Sequence, residues 1–288
     1  MSARPFLYPR ALLARHGLRP KRSFGQNFLV APHVVERIAA LCARDDDRAP
    51  VRVVEIGAGL GALTHALLAR GASVAAIERD RELVPVLEAE LAADVEAGRL
   101  EIVEADAASV DYRALFASRP AATRVLAGNL PYQITGRLLE LATELADVVD
   151  RVVVMVQREV ADRLVAAAGT KAYGQLTVFV QAAFTVRRAL LVGAGNFHPA
   201  PEVESAVVEL QPRRDARTIE TPMFRQVVHL AFGERRKTLR NALRSLVAGE
   251  ASAAVAADSG VDLQRRGETL DVAEFARLAD AIERAKSA

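Results

Sequence analysis

Val51-Arg52-Val53-Val54-Glu55-Ile56-Gly57-Ala58-Gly59-Leu60-Gly61 runs from a short apolar stretch into a glycine-rich turn, and Leu60 to Ala69 continues at helical spacing. Glycines between a strand and a helix let the backbone turn tightly and let a ligand approach it closely. The alternation continues outward. Ala72 to Ile77 reads as a strand closed by Glu78, and Arg81 to Ala92 as a helix. Leu100 to Val103 is a third strand closed by Glu104-Ala105-Asp106, and Val125 to Ala127 begins a fourth. Ile134 to Leu145 is a helix and Arg151 to Val156 a fifth strand; Pro32 to Ala43 supplies a helix before the first. This order predicts an α/β fold with a parallel, doubly wound sheet. Gln175 to Val186 and Val203 to Leu210 read as further strands, able to pair antiparallel. From Pro222 to Ala288 only helical periodicity is present, as in Phe224, Val227, Val228 and Ala231. Pro212 and its charged neighbours mark the expected boundary between a domain over 1–211 and a small all-helical one over 212–288.

A hydrophobic content of 51% in 288 residues supports a substantial core, without a segment apolar and long enough to span a bilayer. The amino-terminal Leu12-Leu13 is followed at once by Arg15 and His16, unlike a secretory leader. The single cysteine, Cys42, excludes an intramolecular disulfide framework and suits a reducing, cytoplasmic setting, and it reads as a small core residue. Five scattered histidines show no ligand-like spacing, so no metal site is expected. The net charge is only +2, yet Arg19-Pro20-Lys21-Arg22 and Arg235-Arg236-Lys237, with Arg240 and Arg244, concentrate positive charge. At helical spacing Arg236, Arg240 and Arg244 share one face beside Lys237. Such a stripe either tracks nucleic-acid phosphate or is simply solvated.

The candidate ligand-binding residues all fall where strands end, the edge at which open α/β sheets bind ligands. Glu78, 21 residues after Gly57, is placed to accept ribose hydroxyls, and Asp106 to accept an exocyclic amine of the same nucleoside. The glycine loop and Glu78 alone suit either a nicotinamide dinucleotide or S-adenosylmethionine. At the end of the fourth strand stands Asn129-Leu130-Pro131-Tyr132. Pro131 biases Leu130 to extended geometry, which can turn its carbonyl outward. The Asn129 amide oxygen then gives a second acceptor and Tyr132 a stacking face. Two acceptors beside an aromatic ring suit N6 of adenine, whereas an ordinary Asn-x-Pro turn would need none of this.

Taken in order, these residues resemble the bacterial small-subunit (16S) rRNA adenine N6,N6-dimethyltransferase family. Lys21 to Leu29 is similar to its amino-terminal motif and Glu55 to Thr64 to its cofactor loop; Glu78, Asp106 and Asn129 to Tyr132 follow. Val153 to Ala161 resembles its fifth-strand segment, Phe197 to Val207 its Phe-x-Pro-x-Pro-x-Val-x-Ser-x-Val motif, and Arg235 to Asn241 its basic segment. Ala58 departs from the family's usual proline, which loosens the loop without removing a contact. The first twenty residues carry no assignable motif.

The resemblance implies a Rossmann-like S-adenosylmethionine-dependent methyltransferase sheet with a carboxyl-terminal helical domain. It implies that Asn27, Leu29, Gly57, Glu78, Asp106 and Asn129 hold the cofactor, and that Asn129, Leu130, Pro131, Tyr132 and Phe197 hold the target base, stacked between Tyr132 and Phe197. The implied substrate is 16S rRNA of the assembling small ribosomal subunit, held by Arg235, Arg236, Lys237, Arg240 and Arg244; neither metal nor membrane is involved, and the protein is expected to be a monomer. The residues admit three other readings. A macrolide-resistance methyltransferase of large-subunit rRNA shares the scaffold, but Leu130 and the full Phe197 to Val207 segment favour the small-subunit enzyme. A non-catalytic RNA-binding factor would not need the intact Glu78, Asp106, Asn129 and Tyr132. A nicotinamide-dependent oxidoreductase leaves Asn129 to Tyr132 unexplained.

Overall fold

The computed structural model describes residues 6–213, 220–234 and 236–287. Nine strands occur among them: β1 (Phe28–Leu29), β2 (Val51–Ile56), β3 (Ser73–Glu78), β4 (Leu100–Glu104), β5 (Thr123–Asn129), β6 (Arg151–Gln157), β7 (Phe184–Val192), β8 (Phe197–His198) and β9 (Ser205–Pro212). Seven form one sheet in the order β4-β3-β2-β5-β6-β9-β7, and β1 pairs with β8 in a separate antiparallel ribbon. The neighbours from β4 to β6 are parallel, and β9 returns antiparallel to β6. Because the parallel strands run in register, Ile56, Glu78, Glu104, Asn129 and Met155 come out along one edge. Helices Pro32–Cys42 and Ala62–Ala69 bury Val35, Ile38, Ala39, Cys42, Leu63, Ala66 and Leu67 in a core shared with Val53, Val74, Val125, Val153 and Val207 of the sheet. The amino-terminal segment, without a motif of its own, forms the helix Pro9–Arg15, whose Leu12 and Leu13 pack with Phe28, Leu60, Leu83 and Val86.

The chain divides into two compact units, one ending at Ala161 and resuming over Arg187–Gln211, the other comprising Asp162–Val186 and the chain from Pro212. Asp162–Val186 thus groups with the chain from Pro212 and not with the residues on either side of it. Gln175–Ala183 is a helix, not the expected strand, and only Phe184–Val192 is extended. Thr177, Val178, Phe179, Val180, Ala182 and Ala183 are all buried, so the helix is apolar nearly all round and shows no periodicity to distinguish it from a buried strand. Its Val178, Phe179 and Ala182, with Tyr173, pack with Phe224, Val227, Val228, Leu278 and Ile282, and this core assigns the insertion to the helical unit. That unit also contains the helices Pro222–Gly233, Glu250–Ser259 and Val272–Ser287. Among the described residues no helix is long and apolar enough to cross a membrane.

One glycine in the sheet decides whether the ligand edge forms. Gly128 stands opposite Ile56 in the β2–β5 pairing at φ +151°, and a Cβ there would lie 2.3 Å from the Ile56 carbonyl oxygen. Relieving that overlap would separate two central strands just before Asn129. Gly128→Ala should therefore destabilise the protein by about 3 kcal/mol or more, overpacking and backbone strain acting together. Urea unfolding that found less than about 1 kcal/mol of loss would show the strand pair to be more yielding than this.

Candidate active site

The strand edge opens into a cavity whose walls include Asn27, Leu29, Gly57, Glu78, Asp106, Asn129, Leu130, Pro131 and Tyr132. The glycine loop is pinned to β3 by the N–H groups of Gly57 and Ala58, which donate to the Ile77 carbonyl at 2.9 and 3.1 Å. Gly57 and Gly59 have φ of +71° and +60°, conformations that side chains with a Cβ rarely adopt, and a Cβ on Gly59 would press on the Phe28 ring at 3.2 Å. Glu78 is 8% exposed. One of its oxygens accepts the Gly59 N–H and the other the Asp80 N–H, both at 2.8 Å. Burial raises its pKa above the usual carboxylate range against the opposing pull of these N–H groups. Asp106 accepts the Ala108 N–H at 2.9 Å through one oxygen, while the other lies 3.3 Å from an Arg79 guanidinium nitrogen.

Asn129 donates its amide N–H to the Asn27 carbonyl at 3.1 Å. A carbonyl only accepts, so this bond fixes the amide's orientation and turns Oδ1 the other way. That oxygen is buried and has no hydrogen-bonding partner among the described residues. Leu130 is held by its N–H, which donates to the Met155 carbonyl at 3.0 Å. The Tyr132 hydroxyl lies 2.8 Å from the Ser205 hydroxyl of β9, which fixes the phenol; burial raises its pKa, with the Ser205 bond opposing. Ser205 was visible only as one letter of the Phe197 to Val207 segment, because its partner is 73 residues away.

Phe197 is not among the wall residues. It is 2% exposed, packs in the sheet's core and faces Leu29 across the β1–β8 pairing. Phe197 therefore does not supply the expected second stacking face in this arrangement, because its ring is turned inward to the core. The aromatic rings on the cavity wall besides Tyr132 are Phe24 and Phe28, which pattern reading did not select. Phe24 is flanked by the Lys21 ammonium at 5.5 Å and the Arg79 guanidinium at 5.4 Å.

In the helical unit, Arg236, Lys237, Arg240 and Arg244 are exposed, while Arg235 lies outside the described residues. They do not form the expected face of one helix. Arg236 and Lys237 lie in a turn, and the helix itself is only Leu239–Ala242. Its first N–H groups, on Leu239 and Arg240, donate at 2.8 Å to the carbonyls of Arg265 and Leu263, a pairing that local periodicity does not report. Lys237 is also ion-paired with Glu234.

The sequence profile described as ribosomal RNA adenine dimethylase matches residues 17–284 of this chain. The chain belongs to the ribosomal RNA adenine dimethylase family. A curated relative, the ribosomal RNA small subunit methyltransferase A of Anaeromyxobacter sp. (strain K), is 45% identical over 280 residues, 94% of this chain and 96% of its own. The protein of the same name from Myxococcus xanthus (strain DK1622) is 43% identical over 283 residues, 96% of this chain and 94% of its own. A solved dimethyladenosine transferase from Plasmodium falciparum superposes with a TM-score of 0.73 at 22% identity, covering 90% of this chain and 98% of that one. The 23S rRNA methyltransferase ErmE superposes with a TM-score of 0.64 at 24% identity, covering 89% and 100%. At these identities the two structures establish the methyltransferase fold.

Glu55 stands near the end of β2, beside the glycine loop. Its carboxyl lines the cavity floor at 2% exposure, accepting the Thr64 hydroxyl at 2.6 Å. Burial, helped by the nearby Glu78 charge, raises its pKa from 4.5 to about 8. Between these values the unfolded chain has released a proton that the folded protein retains, so Glu55's contribution to stability falls as pH rises. Glu55→Gln, which mimics the protonated acid, should gain on the wild type by up to about 1.4 kcal/mol per pH unit across that window. Urea unfolding at about pH 5 and about pH 8 measures it; an equal difference at both would mean that Glu55 is ionised in the folded protein.

Proposed function

We propose that this rRNA adenine dimethylase transfers methyl groups from S-adenosylmethionine to N6 of two adjacent adenines in 16S rRNA of the assembling small ribosomal subunit, in the cytoplasm. Two features support it. The relatives at 43–45% identity are named for the small subunit, whereas ErmE, named for 23S rRNA, is 24% identical. The observation that carries the reading is the partnerless Asn129 Oδ1, a buried acceptor on the cavity wall beside Tyr132. An acceptor without a donor costs about 1–3 kcal/mol, which an incoming N–H relieves.

The residues present fit the cofactor. Glu78 accepts backbone N–H groups through both oxygens, and its remaining acceptor capacity suits a ribose hydroxyl. The left-handed glycine loop leaves the backbone bare for close approach, and Asp106 supplies an acceptor for the adenine amine. When bound, S-adenosylmethionine supplies an activated sulfonium methyl. The chain's own task is alignment. The target amine is a weak nucleophile because its lone pair is delocalised into the purine. Asn129 Oδ1 and the Leu130 carbonyl accept its two N–H groups and draw the nitrogen towards tetrahedral geometry. These bonds strengthen as positive charge develops. Tyr132, held by Ser205, stacks on the extruded base. Water suffices to take the proton.

Two substitutions separate the halves of the site. Glu78→Ala should weaken S-adenosylmethionine binding by about ten- to a hundredfold, the worth of charge-assisted hydrogen bonds. Asn129→Ala should chiefly lower the single-turnover rate of N6,N6-dimethyladenosine formation in undermethylated small-subunit particles. Near-wild-type transfer by a folded Asn129→Ala protein would sink the alignment role, and wild-type protein that left those particles unmodified would sink the substrate assignment.

The exposed Arg236, Lys237, Arg240 and Arg244 then serve RNA phosphate from the helical unit. Arg236→Ala with Arg240→Ala should weaken particle binding and flatten its salt dependence by about two phosphate contacts, with cofactor affinity unchanged. An unaltered salt slope would make the cluster a solvated surface.

A further inference from the structure

Asp80 is a buried carboxylate, 3% exposed, that neither cofactor nor base needs on the reading above. One oxygen accepts the Lys21 ammonium at 2.7 Å and the other the Gln26 side-chain N–H at 2.7 Å. Its partners lie 59 and 54 residues away along the chain. The first oxygen also accepts the Glu82 N–H at 3.1 Å, and Glu82 itself lies 3.0 Å from the Lys21 ammonium. Behind Asp80, its own N–H donates to Glu78.

The segment thus held is closed on itself. The Lys21 N–H donates to the Gln26 side-chain oxygen at 2.7 Å, and the Asn27 amide to the Gly25 carbonyl at 3.1 Å. It also reaches both halves of the cavity. On the cofactor side the Phe28 ring lies over Gly59, where an added Cβ would meet it at 3.2 Å. On the base side the Asn27 carbonyl accepts from Asn129, and Gly25 abuts Gln133, whose side-chain oxygen would be 2.8 Å from a Cβ placed there. Beyond Asn27, Phe28 and Leu29 pair with His198 and Phe197. The segment is therefore fixed at β8 on one end and at Asp80 on the other, with its middle laid across the cavity.

We propose that Asp80 is a positioning residue: by seating Lys21 and Gln26 it holds residues 21–29 as a strap over the cavity, and so sets both the residence of the cofactor and the orientation of Asn129. This rests on the reading of the cavity as an S-adenosylmethionine site. The physical basis is that a short segment crossing a ligand cavity loses conformational freedom only where it is anchored. Without Asp80 the β1–β8 end remains and Lys21 keeps Glu82, but Gln26 loses its side-chain anchor and Lys21 the buried one. The Asn27 carbonyl, the acceptor that orients the Asn129 amide, then wanders with the strap.

The test uses the full-length protein with Asp80→Asn and Lys21→Met, singly and together. S-adenosylhomocysteine is the probe for stopped-flow dissociation, and amide hydrogen exchange reads residues 21–29 without ligand. Asp80→Asn is expected to speed S-adenosylhomocysteine release about tenfold, the loss of one charge-assisted bond. It should accelerate exchange in the strap, and lower the single-turnover methylation rate at saturating cofactor without changing particle affinity. Lys21→Met should act in the same direction, and the double variant should do little more than the stronger single one, since both remove one anchor. Release within about twofold of wild type, unchanged strap exchange, or fully additive effects would overturn the proposal. A lowered melting temperature with release and exchange unaltered would reduce Asp80 to a structural ion pair and overturn it equally. If wild-type protein bound no S-adenosylhomocysteine, the cofactor reading would fall, and strap exchange alone would decide whether Asp80 is the anchor.

Discussion

The carboxylate of Glu78, buried at the end of β3, ties three parts of the site with two oxygens: it accepts the N–H of the glycine loop through one, and through the other the N–H of Asp80, which in turn holds the amino-terminal segment. A charge in that position is costly unless it is hydrogen-bonded, and it is, by backbone groups that cannot move away. The same residue lines the cavity. Rigidity and ligand capacity thus come from one group, and the glycine loop, β3 and the strap cannot shift independently of it.

The sheet separates its buried charges by edge. At the amino-terminal edge, Arg52 of β2 is paired with Glu101 at 2.6 Å and Arg151 of β6 with Asp47 at 2.6 Å. Arg52 also donates to the Leu115 carbonyl and the Ser118 hydroxyl. These guanidinium groups are matched to carboxylates, as burial requires. At the carboxyl-terminal edge Glu55 and Glu78 are buried close together, and burial raises both of their pKa values. Paired charge fastens the lower edge. At the other edge the partnerless Asn129 Oδ1 leaves an acceptor for a ligand that brings a donor.

The α/β fold, the glycine loop and the strand-end residues were legible because parallel strands in register bring every carboxyl end to one edge. Gly57, Glu78, Asp106 and Asn129 therefore had to converge once the alternation was recognised. Pattern reading failed where periodicity was missing or overruled. The helix Gln175–Ala183 is apolar nearly all round, which removes the contrast between a period of 3.6 and one of 2. The expected arginine face broke because the carbonyls of Leu263 and Arg265 capture the N–H groups of a four-residue helix. Phe197 carried a motif position, and the β1–β8 pairing turned its ring to the core.

By itself the sequence determined the succession of the five parallel strands, the loop that needs glycines, the family, and which residues stand at those strands' ends. These follow from local spacing and from the covalent rule that parallel strands share a direction. Only the tertiary structure decided that Asp80 anchors Lys21 and Gln26, that Ser205 steadies Tyr132, that Asn129 Oδ1 is left without a partner, and that Asp162–Val186 joins the helical unit. Each of the three bonded contacts joins residues more than fifty positions apart. A hydrogen bond across that distance leaves no periodic trace in the chain, because it depends on where two backbones come to lie once the core has packed.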